Sequence, residues 1–96
     1  MQIPDRVSIV EVGARDGLQN EARLLSREDR LAFCRALLAA GLPVVEVGAL
    51  VSPRWVPQMA GSAEVLRELL CNPPAARLPV LVPNRNGFER AMEAGA

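Results

Sequence analysis

The feature that most constrains this chain is a unit that recurs along it: a short apolar run, a glycine or proline stop, a polar loop, then an amphipathic helix. Val10–Ala14 and Val45–Ala49 both read Val-Glu-Val-Gly-Ala, with Glu11 and Glu46 35 positions apart. A third apolar run, Leu78–Val82, follows at about the same interval. Runs rich in β-branched residues and apolar on both faces are buried strands, so strands are predicted over Val7–Val12, Pro43–Val47 and Leu78–Val82. Strands alternating with helices imply an α/β fold with a parallel sheet covered by helices. Two architectures satisfy this pattern: an open doubly wound sheet, or the first three strands of a (β/α)8 barrel. The spacing does not choose between them. In both, ligands bind at the carboxyl ends of the strands. The loops beginning Arg-Asp-Gly-Leu-Gln-Asn (from Arg15), Gly-Ala-Leu-Val-Ser-Pro-Arg-Trp (from Gly48) and Pro-Asn-Arg-Asn (from Pro83) therefore share one rim.

The helices carry their own punctuation. Ser26, with Asp29 three residues on, is a capping-box variant that opens a helix whose apolar face is Leu31, Cys34, Leu37 and Leu38. Gly41 is placed to end it. Ser62 is expected to cap a second helix facing inward through Val65, Leu66, Leu69 and Leu70, stopped by Asn72-Pro73-Pro74. A third helix is expected over Phe88–Gly95, with Phe88, Ala91 and Met92 on one side and Asn86 favoured over Asn84 as its cap. No linker, low-complexity tract or second domain is evident. Because a barrel needs about 250 residues, a barrel reading makes residues 1–96 the N-terminal part of one domain, cut after the third unit.

Charge and composition remove several classes of function. Eleven basic and 11 acidic residues give zero formal net charge, with no basic stripe. Nucleic acid and anionic membranes are therefore poor partners. No apolar run reaches spanning length, and the N-terminus lacks a targeting pattern, so a cytoplasmic location is expected. The two cysteines, Cys34 and Cys71, have no metal-ligand or redox spacing and read as structural or incidental. The absence of histidine excludes a Ser-His-Asp triad and any His-ligated metal site built from this chain alone. No dinucleotide or Walker fingerprint is present.

What remains sits on the rim. Asp16 is a carboxylate of the type that binds hard cations, and Arg15 a guanidinium able to meet developing oxyanion charge. Gly13 and Gly17 allow tight turns around them. The same residues also read as an exposed ion pair on a glycine turn. Glu11 and Glu46 occupy equivalent strand positions, where a carboxylate is costly unless paired or solvated. Glu46, nearer its strand end, is the better site candidate. Trp55, between Pro53 and Pro57, suits either a binding wall or a cover for the sheet end.

Taken together, Glu-Val-Gly-Ala-Arg-Asp-Gly-Leu-Gln-Asn-Glu, Val-Ser-Pro-Arg-Trp-Val-Pro-Gln-Met and Pro-Asn-Arg-Asn-Gly-Phe-Glu-Arg-Ala-Met-Glu-Ala-Gly resemble the N-terminal part of the 3-hydroxy-3-methylglutaryl-CoA lyases, from about Val7 to the last residue. The Arg-Asp-Gly-x-Gln element is shared more widely with metal-dependent barrel synthases and carboxyltransferase domains. Arg-Asp-Gly-Leu-Gln-Asn-Glu combined with Val-Ser-Pro-Arg-Trp-Val-Pro-Gln-Met is far more specific and points to the lyase branch. The resemblance implies a (β/α)8 barrel that cleaves an acyl-CoA substrate with a divalent cation, Mg2+ or Mn2+, as a homo-oligomer when full length. It implies that Asp16 is a metal ligand, Arg15 the enolate-stabilising arginine, Glu46 its strand-two support, and Gln19 a substrate-pocket residue. The family's remaining metal ligands, two histidines and an asparagine, and its catalytic cysteine have no counterpart here, so the 96-residue chain alone is expected to be inactive. Where the family commonly places a small hydroxyl residue and an aromatic, this chain has Ala49 and Leu50, which fits a variant acyl pocket or a longer branched substrate. The competing expectation is a non-catalytic β/α module that only associates with a partner chain.

Overall fold

The structure is a computed structural model that describes residues 2–96. Its strands are short. β1 spans Val10–Glu11, β2 Val44–Val45, β3 Gly48–Ala49 and β4 Val80–Leu81. β1 pairs in parallel with β2, and β3 pairs in parallel with β4. Backbone bonds join these pairs into one layer. Across Val44–Leu50 the chain donates from Glu46 to the Glu11 carbonyl on one side, and from Val45, Val47 and Leu50 to Arg77, Pro79 and Leu81 on the other. Residues 44–50 are thus the central strand, with β1 and β4 as outer neighbours. The expected parallel α/β arrangement is present.

Helices α1 (Arg27–Ala39), α2 (Ser62–Leu70) and α3 (Arg85–Ala94) complete the three units. Val45, Val47, Leu50, Cys34, Val65 and Leu66 form the centre of the core between sheet and helices, each at most 2% exposed. The Ser26 hydroxyl accepts from the Asp29 amide at 3.0 Å, and Gly41 (φ 89°) and Gly95 (φ 102°) take the left-handed conformation that ends α1 and α3. These follow the expected capping.

Four expectations are corrected. Val7–Ile9 lie outside the ladder and Val7, Ile9 and Val10 are exposed, because nothing among the described residues pairs with the outer edge of β1. Ser62 does not cap α2. Gly61 (φ 79°) occupies the cap, and Ser62 is the first helical residue, 1% exposed. The cap of α3 is Asn84, whose side chain accepts from the Gly87 amide at 2.9 Å, so the helix begins at Arg85 and Asn86 lies inside it. Ala91 is buried, but Phe88 and Met92 are about half exposed. They flank an open apolar groove of about 680 Å³, lined also by Val10, Val44 and Val80.

Candidate active site

The segment after β1 forms a five-residue π-helical turn, Gly13–Gly17. The amides of Arg15, Asp16 and Gly17 all point back to the Val12 carbonyl, at 3.1, 2.7 and 3.2 Å. Glu11 stabilises the entry: its carboxylate accepts from the Gly13 amide at 2.8 Å. The turn pins Arg15 and Asp16 at the carboxyl end of β1, directly beside the central strand.

There Arg15 Nε donates to Glu46 Oε1 at 2.5 Å, and both side chains are about four-fifths buried, with exposures of 20% and 17%. A charged pair held this close and partly out of water is oriented far more strictly than a surface pair. The Asp16 carboxylate lies 3.6 Å from the Arg15 NH1 and is 56% exposed. The structure therefore brings Arg15, Asp16 and Glu46 together, although 31 positions separate Arg15 from Glu46. Gln19 follows in the same loop, and its Oε1 is buried without a partner among the described residues. A buried acceptor left unpaired suits a donor arriving with a ligand. Asn20 holds the loop by donating to the Asp16 carbonyl at 2.8 Å, and Gln58 ties the second rim loop to the first by donating to the Glu21 carbonyl at 3.1 Å.

Other rim residues do different work. Trp55 is 77% exposed, so it does not cover the sheet end; the Arg54 guanidinium lies 5.4 Å from its ring centre. Asn84 caps α3, and Arg85 pairs with Glu89 one turn on at 3.2 Å. Cys34 is fully buried, and burial pushes its thiol pKa up. Cys71 is exposed at the end of α2. One cluster escaped sequence reasoning: Arg30, 2% exposed, donates to the Ser62 hydroxyl at 2.8 Å and to the Ala60 carbonyl. Desolvation holds its pKa below the usual guanidinium value. A basic residue on an otherwise polar helical stretch gives no sequence signal of burial.

For a divalent cation, the donor set at the mouth fits in part. Asp16 is an accessible carboxylate, the ligand type a hard cation takes. Among the described residues no group of three His, Cys, Asp or Glu side chains converges, so no complete shell of such side chains is present there.

Comparison with known proteins decides the family. The HMGL-like family matches residues 6–96. The chain belongs to the HMGL-like family. Relatives within reach include the 3-hydroxy-3-isohexenylglutaryl-CoA/hydroxy-methylglutaryl-CoA lyase of Pseudomonas aeruginosa, 50% identical over 95 residues. That match takes in 99% of this chain and 31% of the relative. The hydroxymethylglutaryl-CoA lyase of Pseudomonas mevalonii is 55% identical over 89 residues, 93% of this chain and 29% of the relative. Among solved structures, hydroxymethylglutaryl-CoA lyase from Pseudomonas aeruginosa superposes with a TM-score of 0.91 at 49% identity, covering all of this chain and 32% of that one. An HMG-CoA lyase from Acinetobacter baumannii, solved with coenzyme A and 3-methylmalate, gives 0.85 at 30% identity, covering 93% of this chain and 29% of that one. The HMGL-like chain thus spans about a third of the length of the relatives it matches. Its fold is a portion of a TIM barrel, which settles the architecture that strand spacing left open.

Proposed function

We propose that residues 1–96 supply the first three β/α units of a single barrel domain in an enzyme that cleaves 3-hydroxy-3-methylglutaryl-CoA to acetyl-CoA and acetoacetate. The observation that carries this reading is the Arg15–Glu46 contact of 2.5 Å with Asp16 alongside, at the strand ends of a chain about half identical to such lyases. The apolar groove beside β4 is where the next β/α unit would pack, given that the chain spans about a third of its relatives.

Retro-Claisen cleavage removes a proton from a tertiary hydroxyl, breaks the adjacent carbon–carbon bond, and moves its electron pair into a thioester enolate. A bound Mg2+ or Mn2+ would lower the pKa of that hydroxyl. Asp16 would be one of its ligands, the others coming from outside these 96 residues. Arg15 spends Nε on Glu46 and keeps further N–H groups for the enolate oxygen. Glu46 fixes the direction of that guanidinium. Gln19 would pair its buried Oε1 with a donor on the acyl portion. The acyl-CoA is the partner; leucine breakdown and ketone-body formation are where such a cleavage serves, in the cytoplasm, with a homo-oligomeric assembly. Among the described residues no helix is long and apolar enough to cross a membrane.

The test is a chimera joining residues 1–96 to the remaining barrel of the Pseudomonas aeruginosa lyase. Metal-dependent cleavage is expected from the chimera and none from the 96-residue chain. A folded chimera that binds metal but leaves the thioester intact overturns the reading. A longer branched substrate is the second reading, favoured by Ala49: it is 1% exposed, carries no hydroxyl, and belongs to the strand segment running past the Gly13–Gly17 turn. Relative turnover of short and long branched acyl-CoA esters separates the two.

A further inference from the structure

We infer that Arg30 and Ser62 are positioning residues for the candidate site: they hold a one-residue bulge in the central strand that decides which side chain the strand turns toward the mouth. The bulge is visible in the ladder. Val44 pairs with Arg77, an offset of 33, whereas Gly48 pairs with Val80, an offset of 32. Val47 donates to the Pro79 carbonyl at 3.1 Å, and the next donor to that neighbour is Leu50, to Leu81 at 2.8 Å. The central strand therefore spends three residues where its neighbour spends two, the signature of a bulge.

The extra residue leaves one amide without a carbonyl opposite it. That amide, Ala49 N–H, donates instead to the Ser62 hydroxyl at 3.2 Å. Ser62 donates in turn to the Met59 carbonyl at 2.7 Å and accepts from the Arg30 guanidinium at 2.8 Å. Arg30 also reaches the Ala60 carbonyl. Gly48 makes room: a Cβ there would fall on the Ser62 hydroxyl and lie 3.0 Å from the Arg30 guanidinium. α1, α2 and the segment leading into α2 thus converge on the bulge.

Its consequence is a change of parity. In a regular strand, alternate residues share a face, so Val45, Val47 and Ala49 would enter the core and Leu50 would face the mouth with Glu46. Instead Val45, Val47 and Leu50 all join the apolar cluster against the helices, while Ala49, equally buried at 1% exposed, lies outside that cluster. The bulge places a methyl group, not an isobutyl group, on the face that carries Glu46. This rests on reading Arg15, Asp16 and Glu46 as the mouth of the site. The experiment below reads hydrogen bonds only, so it fails independently of the lyase reading.

Isotope-labelled 96-residue chain is compared with Ser62→Ala and Ser62→Thr by NMR. In the unmodified chain, the coupling across the hydrogen bond should join the Leu50 nitrogen to the Leu81 carbonyl carbon, with the Ala49 amide protected. Ser62→Ala should speed Ala49 exchange by about tenfold or more, the scale of one lost hydrogen bond. It should also move the Leu81 coupling from Leu50 to Ala49. Ser62→Thr, which keeps the hydroxyl, should restore the original pattern. General destabilisation speeds exchange everywhere but does not transfer a coupling between residues. An Ala49–Leu81 coupling in the unmodified chain overturns the inference, as does a Ser62→Ala spectrum with both signals unchanged. Should Ser62→Ala fail to fold, Arg30→Lys takes its place: faster Ala49 exchange with the α1 amides unaffected supports the inference, and unchanged Ala49 protection overturns it.

Discussion

The two copies of Val-Glu-Val-Gly-Ala are identical in sequence and different in what they become. In the first, the strand ends at Glu11, the glutamate accepts from the Gly13 amide two residues on, and the chain coils into the π-helical turn. In the second, the glutamate reaches across to Arg15, and the glycine and alanine stay in the sheet as a bulge. Among the described residues the first copy has one strand neighbour, and the second has one on each side. With both sides paired, the second copy cannot coil without losing a ladder, so it absorbs the same five residues as a bulge. Local sequence sets the strand; the number of neighbours sets how it ends.

The largest effect expected from breaking this contrast is catalytic. In the chimera with a related barrel, Glu46→Ala should lower turnover about a hundredfold, because Arg15 loses the partner that aims it. Glu11→Ala should leave turnover near that of the parent, since its carboxylate serves a local backbone amide. Steady-state assays of the two variants decide whether the copies differ in function or only in shape. Next come the glycines. Gly48→Ala should cost about 2–3 kcal/mol in urea unfolding, because its Cβ meets the buried Ser62. Gly13→Ala meets only the ends of the Glu11 and Phe33 side chains, at 2.8 and 3.3 Å, and should cost about 1 kcal/mol or less. Equal costs would dissolve the distinction. The valines give a smaller contrast: Val47→Ala, fully buried, should cost about 2 kcal/mol and Val12→Ala, half-buried, about 1 kcal/mol by the same measurement.

The smallest effect is alkaline. Cys34 lies in the core shared by Ala14 of one copy and Val45 and Val47 of the other. Burial raises its folded pKa, so above about pH 8.5 the unfolded thiol ionises while the folded one keeps its proton. Stability is unaffected below that pH and falls as pH climbs toward the folded value. Cys34→Ala should flatten this slope, measured by urea midpoints across the alkaline range.

Much of this was legible because some signals are local. The three β/α units came from periodicity, and the ends of α1 from Ser26 and Gly41, whose chemistry acts within a few residues. Arg15 and Asp16 stood out as opposite charges on a glycine-bounded loop at a strand end, and Glu46 because a carboxylate within an apolar strand is costly unless paired or solvated. The α/β class followed from the same reading, and kinship with known lyases then fixed the barrel. The misses are non-local. Ser62 looks like a helix cap until the bulged Ala49 amide is placed 13 positions away. Arg30 looks solvated on its own helix, and only α2 and the segment before it close over the guanidinium. Asn84 outcompetes Asn86 because the chain enters α3 extended at Asn84, with φ −159° and ψ 178°, a geometry that local composition does not encode.

Three successive amides of the Gly13–Gly17 turn are consumed by a single carbonyl, that of Val12. A loop built as a backbone cradle would spread the handling of negative charge over several N–H groups and tolerate the loss of any side chain near it. This turn has committed those groups inward. In the proposed mechanism, charge stabilisation at its tip is therefore left to the Arg15 guanidinium, with these three amides giving no support, and lysine, unable to span both Glu46 and a ligand in one plane, should not replace it.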